Sequence, residues 1–151
     1  MPDGQFIHST KSFYYRLAVV SFVLNWVWEI GQMVAFAVSA SWIKSLIFCT
    51  LATIVDLLTT FAVYGVAAFI ARRLDWKRND WHFYVTAAVL GALSAVTFEK
   101  IAFAVGLWSY NEKMPVVPLV DTGLLPLVQF TVLVPFAIWL SRRLETTKMK
   151  R

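Results

Sequence analysis

Four stretches of the chain are apolar almost without interruption, and each is near the roughly 20 residues that cross a bilayer as a helix. They run over about residues 16–38, 45–71, 81–107 and 119–140. The breaks between them are polar or turn-forming. Residues 39–44 make a tight connection, residues 72–80 carry four cations, and the third break holds Trp108, Tyr110, Pro115 and Pro118. Before the first span, Phe13, Tyr14 and Tyr15 are expected as interfacial anchors. No internal repeat or low-complexity linker interrupts the pattern. It predicts an all-α, integral membrane four-helix bundle forming one domain over residues 1–151.

Composition supports a bilayer rather than a buried core. Of 151 residues, 59% are apolar and 15% charged, with a mean hydropathy of +0.64. Soluble domains carry roughly 25% charged residues, so this chain has too few charges to coat four such helices with a wet shell. The first apolar segment is the length of a full span and has no small-residue cleavage site, so no secretory signal peptide is expected. Cys49 is the only cysteine, which excludes an intramolecular disulfide and any multi-cysteine metal site.

Charge then orients the bundle. Eleven cations fall on one side: Lys11 and Arg16, Arg72, Arg73, Lys77 and Arg78 in the middle break, and Arg142, Arg143, Lys148, Lys150 and Arg151 in the tail. Two, Lys44 and Lys113, fall on the other. Four spans satisfy the positive-inside rule without exception, where three or five would not, and both termini are expected in the cytoplasm. Tryptophans 42, 76, 81 and 108 fall at the predicted boundaries. The pI near 9.6 raises the question of nucleic acid. The cations cluster at helix ends rather than along one face, which suits anionic membrane lipid and not nucleic acid. Short loops and a basic tail suit a bacterial inner membrane.

Against this apolar background the acids stand out. Glu29, Asp56 and Glu99 lie inside three different spans, and a carboxylate at the bilayer centre costs roughly 2.5–3.5 kcal/mol on insertion scales. Each must face the bundle, find a partner or be protonated. Asn25, Glu29 and Gln32 share one helical face, as do Thr53, Asp56, Thr60 and Tyr64. Ser94 precedes Glu99 by about a turn and a half, and Gln129 follows Pro126 by one turn. These stripes are expected to converge on one polar pocket. Interhelical hydrogen bonds alone average about 0.6 kcal/mol, a small return for inserting three acids. Lys100 cannot share the face of Glu99 and is expected to snorkel to the outer interface or to pair with another helix. His8 and His82 read as interfacial residues, and no spacing suggests a metal, a phosphate loop or a serine–histidine pair.

A desolvated carboxyl group that keeps its proton is a competent acid towards an alkene or epoxide. Aromatic faces nearby stabilise a carbocation through cation–π attraction, and Trp26, Trp28, Phe98 and Trp108 are close in sequence to an acid. Glu29 or Glu99 is the candidate proton donor, with Asp56 orienting or reprotonating it. Asn25, Trp26, Trp28, Gln32, Tyr64, Trp108, Tyr110 and Gln129 are the candidates for holding substrate. The same pocket also suits a small proton-coupled transporter or a lipid-binding protein, and a subunit in a membrane assembly is a third reading.

Two motifs point to families. Phe98-Glu99-Lys100, followed by Gly106-Leu107-Trp108-Ser109-Tyr110-Asn111, resembles a signature of the small membrane lycopene cyclases. The likeness continues through Gly123-Leu124-Leu125-Pro126 and Val134-Pro135, about 40 residues in all. Where those cyclases carry two adjacent glutamates, this chain has Val128 and Gln129, so the resemblance does not extend to their way of cyclising lycopene. Asn25-Trp26-Val27-Trp28-Glu29-Ile30 resembles the Asn-x-x-Trp-Glu element of membrane-bound terpene cyclases, whose glutamate, a catalytic acid, would correspond to Glu29. Both resemblances imply cofactor-independent, acid-initiated cyclisation of a lipophilic isoprenoid in a helical bundle. The chain is shorter than the seven-span terpene cyclases, so the resemblance also implies a second copy or a second membrane subunit as partner.

Overall fold

The computed structural model describes residues 3–36, 41–76 and 81–148. The expected end of the first span at Val38, the start of its connection at Ser39, and the cations Lys77, Arg78, Lys150 and Arg151 lie outside the described residues. Helix α1 covers Asp3–Gln32 and closes in a 3₁₀ turn at Met33–Ala35; α2 covers Trp42–Arg73 and α3 Trp81–Ala104. A two-stranded antiparallel hairpin follows, β1 at Val116–Val117 and β2 at Thr122–Gly123, paired Val116 to Gly123 and Val117 to Thr122. The last span is composite: α4 at Leu124–Val128, a π-helical turn at Gln129–Leu133, and α5 at Val134–Lys148. Four segments, Lys11–Ala35, Trp42–Arg73, Trp81–Ala104 and Leu124–Leu144, are long and apolar enough to cross a membrane.

The distribution of side chains is inverted relative to a water-soluble bundle. On α1 the buried positions are Ser21, Asn25, Glu29 and Gln32, while Val19, Val23, Val27 and Val34 face outward. On α2 Thr53, Asp56 and Thr60 are buried, while Leu51, Ile54 and Leu58 are exposed. Large apolar groups outside and polar groups inside make a stable surface in hydrocarbon, not in water. Helix α3 presents a small-residue face, Ala87, Gly91 and Ala95, that leads to buried Glu99. At Gly91 a Cβ would collide with the carbonyl of Phe130, so the fourth span lies directly against the α3 backbone.

The boundaries differ from the sequence reading at both ends of the loop between α3 and α4. Helix α3 stops at Ala104 rather than at residue 107, because Gly106 adopts φ 68° and closes a Schellman cap. In that cap the Gly106 amide bonds the Phe103 carbonyl at 3.2 Å and the Leu107 amide bonds the Ala102 carbonyl at 2.9 Å. The fourth span starts at Leu124, not residue 119, because residues 119–123 belong to the hairpin and its turn. Its helix continues past residue 140 to Lys148. Helix α2 extends from Trp42 to Arg73 and ends in the same type of cap: Asp75 takes φ 53° and the Trp76 amide bonds the Ala71 carbonyl at 2.8 Å. The π turn has a covalent cause. Pro135 has no N–H for the Thr131 carbonyl, and its ring crowds that carbonyl, which favours a widened turn.

The start of α1, the end of α2, the start of α3 and the end of α5 share one end of the bundle. There Phe13 and Tyr64 lie 5.1 Å apart between ring centroids, Tyr64 and Phe83 6.1 Å, and the Arg142 guanidinium sits 4.4 Å over Phe83. An apolar core of Leu17, Phe83, Val134 and Ile138 fills this end. The polar residues occupy the other half.

Candidate functional site

One amide organises the polar half. Gln129, on the first residue of the π turn, is buried, and its Nε2 is within reach of oxygens on two other spans. It donates towards Asp56 Oδ2 at 2.9 Å, Glu29 Oε1 at 3.1 Å and Asn25 Oδ1 at 3.1 Å. Its Oε1 accepts from Gln32 Nε2 at 3.0 Å, and the same Gln32 nitrogen donates to Glu29 Oε1 at 2.6 Å. Trp28 Nε1 donates to Gln32 Oε1 at 3.0 Å, which fixes the Gln32 amide. Asn25 Nδ2 donates to the Ser21 carbonyl at 2.9 Å, Ser21 Oγ donates to Thr60 Oγ1 at 3.0 Å, and Thr60 returns to the Asp56 carbonyl at 2.9 Å. Glu29 and Asp56 are thus brought to one shared donor, the Gln129 amide nitrogen.

This network forms part of the wall of a cavity of about 500 Å³. Glu29, Gln32, Asp56 and Gln129 line it from α1, α2 and the π turn. Phe48, Ala52, Val55, Ala95, Phe98, Ala102, Trp108 and Phe130 supply much of the apolar lining, and Lys44 and Ser45 line it too. An apolar chamber of this size with a few convergent polar groups has the form of a small-molecule site.

Glu99 lines the same cavity from α3 and has its own partners. Tyr110 donates its hydroxyl to Glu99 Oε2, and Trp108 Nε1 lies 3.5 Å from that oxygen. The Tyr110 oxygen in turn accepts the Gly123 amide at 2.7 Å. Burial first, then the hydrogen bond to Glu99, pushes the Tyr110 phenol above its usual value, so it stays a donor. The loop between α3 and α4 is tied to the end of α1. Asn111 Nδ2 donates to the carbonyls of Val34 at 2.9 Å and Phe36 at 3.0 Å, and Tyr110 pairs with Phe36 in an isolated β-bridge.

The expected site residues sort into three groups. Glu29, Asp56, Glu99, Gln32, Gln129 and Trp108 line the cavity. Asn25, Trp28 and Tyr110 stand behind that lining and hydrogen-bond to it. Trp26 and Tyr64 lie away from it. Trp26 Nε1 reaches Thr50 Oγ1 at 3.4 Å across the α1–α2 contact. Tyr64 shares the Asp56 face, but lies two helical turns further on, in the aromatic cluster at the opposite end. Met33, Phe48 and Phe130, which the sequence pattern did not single out, line the cavity as well. Their one sequence signal was proximity to the polar stripes. Lys100 pairs not with another helix but with the hairpin turn, 3.3 Å from Asp121 Oδ2 and 3.0 Å from the Asp121 carbonyl. Among the described residues no group of three or more His, Cys, Asp or Glu is arranged to hold a metal ion.

Compared with known protein families, with curated proteins and with solved structures, the chain finds no match in any of the three.

Proposed function

We propose that the protein is a membrane-embedded cyclase or isomerase that acts on a lipophilic terpenoid or carotenoid-like isoprenoid by acid initiation. The observation that carries this reading is the Glu29–Asp56 pair, held by amide donors and opening into a largely apolar, aromatic-lined cavity. A carboxyl proton of this pair is added to an alkene or epoxide of the substrate. Rings of Phe48, Phe98 and Trp108 face the resulting cation. A neighbouring carbon then loses a proton to a carboxylate, the role we give to Glu99, which Tyr110 hydrogen-bonds. One proton enters the substrate and one leaves it, so the product is an isomer, and the proton taken up by Glu99 is given back to the Glu29–Asp56 pair before the next turnover. The excess of cations at the end holding the termini supports a cytoplasmic location for both, in a bacterial inner membrane.

The test is a product assay. Purified protein in liposomes is supplied with linear prenyl and carotenoid precursors, and extracts are compared by mass spectrometry with those of Glu29→Gln. A new peak of unchanged mass that is lost in the variant is expected. Ligand that crosses the bilayer in response to pH and is recovered unaltered would replace the enzyme with the transporter reading.

A further inference from the structure

A second cleft, of about 590 Å³, lies at the end of the bundle that holds the termini, between α1 and the last turns of α2. Tyr14 and Tyr64 form one wall, packed edge to face with centroids 6.0 Å apart. The rim carries Arg72 and Arg73. Both arginines are exposed, and among the described residues neither pairs with an acid. Arg73 rests over the Phe69 ring at 5.2 Å instead, and nearby Asp75, turned by its φ of 53°, forms no ion pair with either. Two adjacent guanidinium groups that face water unpaired leave ten N–H donors and two charges for an anion.

The floor of the cleft is open. A Cβ placed on Gly65 meets nothing within 4 Å, unlike one on Gly91. Beside it run Ala68 and Phe69, so a narrow apolar strip leads from the arginines along the lipid-facing side of α2. The cationic rim stands at one end of the cleft, and the apolar strip runs from it along the helix axis with the tyrosines at its side, as a phospholipid presents its phosphate and then its chains.

We propose that this cleft binds an anionic membrane phospholipid, with the phosphate between Arg72 and Arg73 and one acyl chain laid over Gly65 and Ala68. The charge complementarity singles out the lipid. A basic pocket between helices at the membrane surface matches an anionic head group better than a zwitterionic one. The site is separate from the cavity around Glu29 and does not depend on the chemistry there.

The full chain, in a nonionic detergent, is titrated with dioctanoyl-phosphatidylglycerol, dioctanoyl-phosphatidylcholine and inorganic phosphate, and bound lipid is counted by native mass spectrometry. Saturable retention of one phosphatidylglycerol is expected, over weak phosphatidylcholine. Each arginine near the surface should be worth roughly fivefold in affinity, so Arg72→Gln with Arg73→Gln should weaken retention roughly 25-fold. Gly65→Leu, which fills the strip and leaves both charges, should weaken phosphatidylglycerol without changing inorganic phosphate. Equal retention of the two lipids, or unchanged retention in the double variant, overturns the proposal. Competition by inorganic phosphate as strong as that of the lipid overturns it too, in favour of a free-phosphate site. Both variants lie on the exposed face of α2, and circular dichroism and elution volume confirm that the chains compared are folded.

Discussion

The Nε2 of Gln129 lies 2.9 Å from Asp56 Oδ2, and the same nitrogen is 3.1 Å from Glu29 Oε1. A single neutral side chain on the fourth span thus joins acids from the first and second. Two carboxyl groups in hydrocarbon are tolerated there because donors converge on them. The donor that reaches both is displaced into position by the π turn.

Removing that donor should therefore uncouple the helices. Gln129→Leu strands two carboxyl groups and the Asn25 and Gln32 amides, and the loss of stability should be about 1–3 kcal/mol. Gln129→Glu adds a third acid to the cluster and should cost at least as much. Unfolding of each variant in mixed micelles, followed by circular dichroism, measures the loss. A Gln129→Leu protein as stable as the parent would mean that the network contributes no net stability.

The contact between Gly91 and Phe130 makes a second, purely steric prediction. A Cβ on Gly91 would sit 2.9 Å from the Phe130 carbonyl carbon and closer still to its oxygen, both of them backbone atoms. Neither can rotate away, so Gly91→Ala must push the π turn off α3. Overpacking of this kind costs typically 1–3 kcal/mol. Gly31 and Gly65 have open space at the same distance and lie in helices, so Gly31→Ala and Gly65→Ala should be neutral or slightly stabilising. The same unfolding measurement compares all three.

The difference between these glycines was not legible in the sequence, and the reason is instructive. Hydrophobic length identified the four spans, and the i, i+4, i+7 spacing put Asn25, Glu29 and Gln32 on one buried face. Helical periodicity fixes direction but not depth. Tyr64 shares the Asp56 face and was grouped with it for that reason, although it packs at the far end with Phe13 and Phe83. The register between spans, which brings Gln129 level with Asp56, depends on a backbone irregularity upstream of Pro135. A hydropathy profile does not register that irregularity. The connection between α3 and α4 was legible only as a loop. Its bridge from Tyr110 to Glu99 and Gly123 is a tertiary pairing that spacing alone cannot fix.

That bridge gives the third prediction. Tyr110 is held above the ordinary tyrosine value of about 10, first by burial and then by Glu99. A group whose folded value is raised contributes stability that is fully present below the unfolded value, and the contribution is lost as pH rises through the folded one. The bridge should hold at neutral pH and weaken only in strong alkali. In spectrophotometric titration, the difference between parent and Tyr110→Phe should show a tyrosinate step well above pH 10. A step at the ordinary value would mean that the phenol is not engaged with Glu99. At neutral pH, Tyr110→Phe should lower turnover through Glu99 and leave the Gln129 network intact.

The last prediction separates the cavity from its acids. Ala52, on α2 between Cys49 and Asp56, lines the chamber without joining any hydrogen bond of the network. A larger side chain there fills volume that the proposed substrate needs. Ala52→Phe should lower turnover at least roughly tenfold, since misfit by even small groups in a shaped apolar pocket costs of that order. The void accommodates the ring, so the thermal midpoint should stay near that of the parent. Glu29→Gln, by contrast, should lower turnover about 10²–10⁴-fold while leaving the cavity open to ligand. A substrate-like hydrocarbon that quenches Trp108 fluorescence measures the occupancy. Binding lost in Ala52→Phe and kept in Glu29→Gln is the pattern expected of a reaction chamber. Turnover unaffected by Ala52→Phe would place the chemistry outside this cavity.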